Sequence, residues 1–271
     1  MAGVSSQSLA EARHELEPRL RTASLTLAEE LFGVLDALDS NAGLRRALTD
    51  PNRAAEDKVA LATSLFSGRI SPEAAEIVRG LVAGRWAKPR DLGDALESLA
   101  ATVAIAVAEN RGQGVLGLEG LENDLFSFLS VVESSHDVQR ALSEPQADGA
   151  AKSALALRLV PTAGEEARLL IRQAVLSPRG LKPSALVQRF IELVALRQER
   201  WIANVSVTRP LSDEQFVRLQ AGLNRLYGRD LKVNVSVDPS LVGGVRVKVG
   251  DEVVDATAVA RLAELRRKMA V

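Results

Sequence analysis

Residues 27–40, LAEELFGVLDALDS, return 94 positions later as LENDLFSFLSVVES (121–134), and LRRALTDP at 44–51 returns as VQRALSEP at 138–145. Between Leu27 and Leu65, 14 of 39 positions are identical in the two registers, among them Leu31/Leu125, Phe32/Phe126, Arg46/Arg140, Pro51/Pro145 and Lys58/Lys152. After a one-residue slip the match resumes at Arg79/Arg172 and Val82/Val175, then runs through Lys88-Pro89 over Lys182-Pro183. Solenoid repeats have periods of roughly 20–50 residues, so a period this long signals a duplicated domain.

Each copy reads as a helical bundle, because its apolar residues recur at helical spacing. Leu27, Leu31, Val34, Leu35 and Leu38 form one stripe; Leu121, Leu125, Phe128, Leu129 and Val132 reproduce it. Asp50-Pro51 and Glu144-Pro145 stop a helix, since the residue before proline is pushed out of the helical region. Ser71-Pro72 reads as an N-cap followed by proline at the first helical position. A further stripe comes from Leu92, Leu96, Leu99 and Val103, and the four glycines between Arg111 and Gly120 mark the joint between copies.

From Trp201 the period changes to two. Trp201, Ala203, Val205 and Val207 share one face, as do Leu231, Val233, Val235 and Val237, and then Val245, Val247 and Val249. Between the first two strands, Ser212 and Gln215 form a capping box and Gly228 stands where a C-cap is expected. Strand, helix and strand make a crossover unit. Gly250-Asp251 turns the chain, Val253 and Val254 return, and Thr257 can cap a last helix. The expected fold is therefore mostly α with a C-terminal α/β module: bundle copies at 1–111 and 112–199, and the module at 200–271.

Composition narrows the function. The 271 residues carry a formal net charge of -1, no cysteine, two histidines (His14 and His136) and 3% aromatics. Disulfides, thiolate zinc sites and cysteine nucleophiles are excluded, and a Ser-His-Asp triad or His-rich metal centre has almost nothing to be built from. The first twenty residues contain acidic side chains and no apolar run, unlike a secretory signal. The most apolar stretch, Leu99 to Ala108, is too short for a spanning helix of roughly 20 residues. A cytoplasmic chain is expected. The sign of the charge differs along it: residues 1–199 hold 22 Lys/Arg against 27 Asp/Glu, while the remainder holds 12 against 8.

The stretch LKVNVSVDPSLVGGVRVKVGDEVVDATAVARLAELRRKM (231–269) resembles the C-terminal signature of the delta subunit of F-type ATP synthase, the bacterial counterpart of the mitochondrial oligomycin-sensitivity-conferring protein. The matching residues include Val237-Asp238-Pro239, Leu241, Gly243-Gly244, Val247, Gly250-Asp251 and Val254-Asp255. Ala256 departs from the glycine common there, which touches only local turn geometry. The segment from Ala203 to Gly228 and the helical half are also similar to that family, whose typical members carry the bundle once; some long actinobacterial relatives carry it twice. The resemblance implies a non-catalytic stator subunit, one copy per complex, without a cofactor, peripheral on the cytoplasmic face of the bacterial cell membrane. It implies two partners: N-terminal segments of alpha subunits for the bundle, and the b-type peripheral-stalk subunit for the module. It further implies that Asp238, Pro239, Gly243, Gly244, Gly250 and Asp255 are structural signature residues. Amphipathic bundles suit helix-in-groove recognition, and a second bundle adds contacts on one chain.

Each feature has a plainer reading. Gly243-Gly244 could cradle a phosphate, but a glycine pair before a strand more often makes a bulge or turn. Asp238 and Asp255 could act as acid and base, yet both flank turns, where aspartate bonds locally. Lys58 and Lys152 could meet an acidic partner, though a bundle lysine is usually solvated. His136 reads as capping or exposed. Alternative functions are nucleic-acid binding by the mildly basic module, a generic helical adaptor, or a small Asp/Glu enzyme using a divalent cation. Sparse aromatics and the small charge surplus weigh against nucleic acid.

Overall fold

The computed structural model describes residues 3–112, 114–228, 231–238, 241, 244–250 and 252–255. The first compact unit, residues 1–194, is all helical. Its opening helix α1 (Val4–Leu16) continues into a 3-10 turn at Glu17–Thr22. Then come α2 (Leu25–Ser40), α3 (Ala42–Thr49), α4 (Ala55–Phe66), α5 (Pro72–Ala83) and α6 (Pro89–Arg111). The series repeats in order as α7 (Val115–Glu133), α8 (His136–Ser143), α9 (Gly149–Leu159), α10 (Glu165–Leu176) and α11 (Pro183–Glu199). Corresponding helices keep their lengths at α3/α8, 8 residues each, and at α5/α10, 12 each.

Local chemistry sets the boundaries. Asn41, Ser71, Ser135 and Asp148 accept side-chain caps from backbone amides, and Ser71 is also held by Glu30, with Pro72 at the first helical position. The α3 and α8 helices end just before Asp50 and Glu144, both extended ahead of proline. The two leucine-rich stripes expected from the repeat are buried throughout.

At the joint, glycine is a packing requirement: a Cβ on Gly117 would lie 2.0 Å from the Ala108 carbonyl oxygen, and one on Gly112 would lie 2.2 Å from the Gly117 Cα. The chain crosses itself there without room for a methyl group. The α6 helix serves both copies, packing on α2 and α3 on one side and on α7 and α10 on the other.

Two environments differ from the sequence reading. Lys58 is buried at 5% exposure, and its Nζ donates to the Gly84 carbonyl oxygen at 2.9 Å; burial, with Arg85 nearby, holds its pKa below the usual lysine range. It ties α4 to the end of α5 and is not a solvated lysine. The α1 helix has almost no apolar stripe and is anchored by buried serines. Ser5 Oγ donates to Asp91 and accepts from the Ala87 amide, while Ser8 Oγ bridges the backbone of Arg85.

The second unit, residues 195–271, contains β1 (Ile202–Val207), α12 (Asp213–Tyr227), β2 (Lys232–Val237), β3 (Val245–Val249) and β4 (Glu252–Asp255). The sheet order is β2-β1-β3-β4, with β1 and β2 parallel and the other pairs antiparallel. The Ser212/Gln215 capping box is formed, and Gly228 closes α12 in the left-handed conformation. Ala203, Val205, Val207, Leu223, Leu231, Val247 and Val249 make the core. The last helix expected after Thr257 lies outside the described residues.

Gly117→Ala is expected to destabilise the helical unit by on the order of 3 kcal/mol, as a backbone clash with no rotamer to relieve it. Gly120→Ala, with nothing within 4 Å of the added carbon, is expected to stabilise α7 by up to about 1 kcal/mol. Thermal or denaturant unfolding of the two variants checks both signs.

Candidate partner-binding surfaces

The signature residues sit in the α/β module, and the described ones are backbone and turn elements. The Asp238 amide donates to the Val207 carbonyl at 2.8 Å, extending the β1/β2 ladder, and the Asp238 carbonyl accepts from the Leu241 amide at 3.2 Å, closing a turn. Gly244 and Gly250 take positive φ, 85° and 57°, which L side chains adopt with strain. Gly250 occupies the turn whose register pairs Val249 with Glu252. Asp255 ends β4 and faces Arg246, whose Nη2 donates to it at 3.4 Å. Pro239, Gly243 and Asp251 lie outside the described residues.

Geometry separates the two aspartates. Both lie at the same end of the sheet, but Asp238 follows one edge strand and Asp255 closes the other. Three strand spacings come to about 14 Å, too far for the pair to share a proton. Among the described residues no group of three His, Asp or Glu is arranged to hold a metal ion. Where Asp39, Asp94 and Glu97 converge, the Arg179 guanidinium sits among them.

What the module offers is surface of two kinds. On one face, Asn204, Ser206, Asn234 and Ser236 form polar cross-strand pairs flanked by Arg246 and Lys248. On the other face α12 packs on β1 and β3, and among the described residues nothing further covers the two edge strands. Val235 and Val237, in register with the buried Val205 and Val207, are 37% and 48% exposed, and Val254 on the far strand is 37% exposed. The sequence period puts Val235 and Val237 on one face with Leu231 and Val233, and in the sheet that is the face carrying the core. Among the described residues α12 alone packs on that face, and it does not reach them.

In the helical unit the surplus apolar surface falls on the second copy. Phe32 is 3% exposed, while its repeat mate Phe126 is 46% exposed, accompanied on α7 by Leu116 and Val131. The α2 helix is bounded on its other side by α10, where Arg172 pairs with Glu29 and Ser177 Oγ donates to Asp36. His136 opens α8 and is exposed beside the capping Ser135.

A family model described as "ATP synthase delta (OSCP) subunit" matches residues 100–269. That span begins within α6 and takes in the second bundle copy and the module. The chain is 63% identical over 274 residues to the ATP synthase subunit delta of Pseudarthrobacter chlorophenolicus, with 100% of both chains covered. It is 61% identical over 270 residues to that of Renibacterium salmoninarum and 39% identical over 272 residues to that of Thermobifida fusca, again across 100% of both chains.

Gly250→Ala is expected to destabilise the module by roughly 1–2 kcal/mol through its positive φ. Asp255→Asn, which removes a half-exposed ion pair, is expected to change stability by less than about 0.5 kcal/mol. Hydrogen exchange of the β1 amides in each variant separates the two effects.

Proposed function

This chain belongs to the ATP synthase delta (OSCP) subunit family, and from that premise we propose that it is a non-catalytic stator part, one per complex, linking the peripheral stalk to the alpha/beta head of an F-type ATP synthase. The helical unit takes N-terminal segments of alpha subunits, and the α/β module takes the end of the b-type stalk subunit. The chain itself carries out no chemistry; it resists the rotor's torque, so that proton flow stays coupled to ATP synthesis. Its place is peripheral, on the cytoplasmic face of the cell membrane.

The observation that carries this reading is the uncovered apolar flank of the module. Val235 and Val237 extend the core face of the sheet past the edge of α12, which suits the apolar side of a stalk helix. Their neighbours Val205 and Val207 are fully packed, so the flank extends a formed core. The peripheral placement is supported by the helices, none of which, among the described residues, is long and apolar enough to cross a membrane.

Substituting Val235→Glu together with Val237→Glu is expected to weaken binding to the purified stalk subunit by at least about tenfold, ~1.4 kcal/mol, and to leave binding to the catalytic head unchanged. Undiminished stalk binding by a folded double variant would show that the flank is not the stalk contact.

A further inference from the structure

The loop between α10 and α11 carries Arg179 at φ 52°, the one non-glycine residue with positive φ among the described residues. Its side chain, 7% exposed, reaches out of the second bundle copy into the first. Nε donates to Asp39 at 2.6 Å, and Nη1 donates to Asp94 at 2.7 Å and to Glu97 at 3.2 Å. The Arg179 carbonyl accepts from Arg90 Nη2 at 2.7 Å, and Arg45 braces Asp39 from its other side at 3.0 Å. Burial opposes the guanidinium charge, but Asp39, Glu97 and Asp94 more than reverse it and hold its pKa above the ordinary value. Gly93 makes the space: a Cβ there would stand 2.4 Å from Nη2.

This socket exists in one copy only. Shifted by 94 residues, Gly93, Asp94 and Glu97 become Val187, Gln188 and Ile191, which offer neither the space nor the charges. Arg85, which stands 94 residues before Arg179, is exposed. The contact is therefore no general property of the bundle and cannot propagate from copy to copy.

Position gives the contact its consequence. The copies are joined covalently at Gly112–Gly117, at the C-terminal end of α6, while the socket lies at residues 93–97 near its N-terminal end. Nineteen residues of helix separate Gly93 from Gly112, about 28 Å at 1.5 Å per residue. The copies already share α6, on which α7 and α10 pack, and Arg172–Glu29 and Ser177–Asp36 join α2 to the end of α10; the socket adds a charged contact at the end of α6 farthest from the covalent joint.

We propose that Arg179, seated between Asp39, Asp94 and Glu97, is a latch that fixes the angle between the two bundle copies at the end of α6 farthest from their covalent joint. Removing one partner of a buried ion cluster leaves uncompensated charge, so loss of the guanidinium removes what holds Asp39, Asp94 and Glu97 together. The lock stands independently of the stator reading; only its use in bearing torque rests on that reading.

The chain has no native cysteine, so spin labels can be placed cleanly at Ala60→Cys on α4 and Ala154→Cys on α9, repeat mates that are both exposed. With Arg179 intact, pulsed electron paramagnetic resonance on the full chain is expected to give one narrow interspin distance. Arg179→Gln, and separately Gly93→Ala, are expected to broaden it or add a second population while helical circular dichroism is retained. An unchanged narrow distance in both variants would overturn the latch. So would broadening that merely tracks a loss of helix, since Arg179 would then support the fold of one copy rather than the link between two. Arg179→Lys keeps the charge without the fork that reaches Asp39 and Asp94 together; full retention of the narrow distance in it would equally contradict the geometry argued here.

Discussion

The burial of α6 on every side is the constraint from which the helical unit follows. Of its 23 residues 14 are buried, including Leu99, Ala100, Ala101, Val103, Ala104, Ile105, Ala106 and Ala108. A helix with one apolar stripe can close a single bundle and keep its other face wet; a helix apolar all round must be covered by two layers. The alanines let the neighbouring helices approach closely, and Gly112 and Gly117 let α7 fold back at once against the end of α6. The duplication is thus built around a shared member, the last helix of one copy serving as the first packing surface of the next.

Identical residues in the two copies consequently meet different surroundings. Phe32 is enclosed and Phe126 is half open. Stacking one copy on the other consumes a different face of each. Most of the exposed apolar side chains among the described residues lie on the second copy, among them Leu116, Phe126 and Val131, and on the module, among them Val235, Val237 and Val254.

Much of this was legible in the chain because it is local. The capping box at Ser212 and Gln215, the C-cap at Gly228, the proline stops after Asp50 and Glu144, and the crossover of β1, α12 and β2 are each decided within a few turns or one strand spacing. Features decided at a distance were not legible. The partners of Arg179 lie 82, 85 and 140 residues away, and no periodicity encodes such a meeting. Lys58 looked solvated because its acceptor, the Gly84 carbonyl, is a backbone atom that any sequence would supply. The α1 helix gave no apolar signal because serine hydroxyls hold it. In the module, alternation identified which face Val235 and Val237 share, but their exposure depends on how far α12 reaches across the sheet, which no local pattern encodes.

An account in which the chain braces the catalytic head against the stalk is tested most directly in inside-out membrane vesicles, by stripping the chain and adding it back while following ATP-driven proton pumping and ATP hydrolysis together. The account predicts that hydrolysis persists after stripping while pumping collapses, and that pumping returns when the chain is restored. Pumping that continues undiminished without the chain would contradict it.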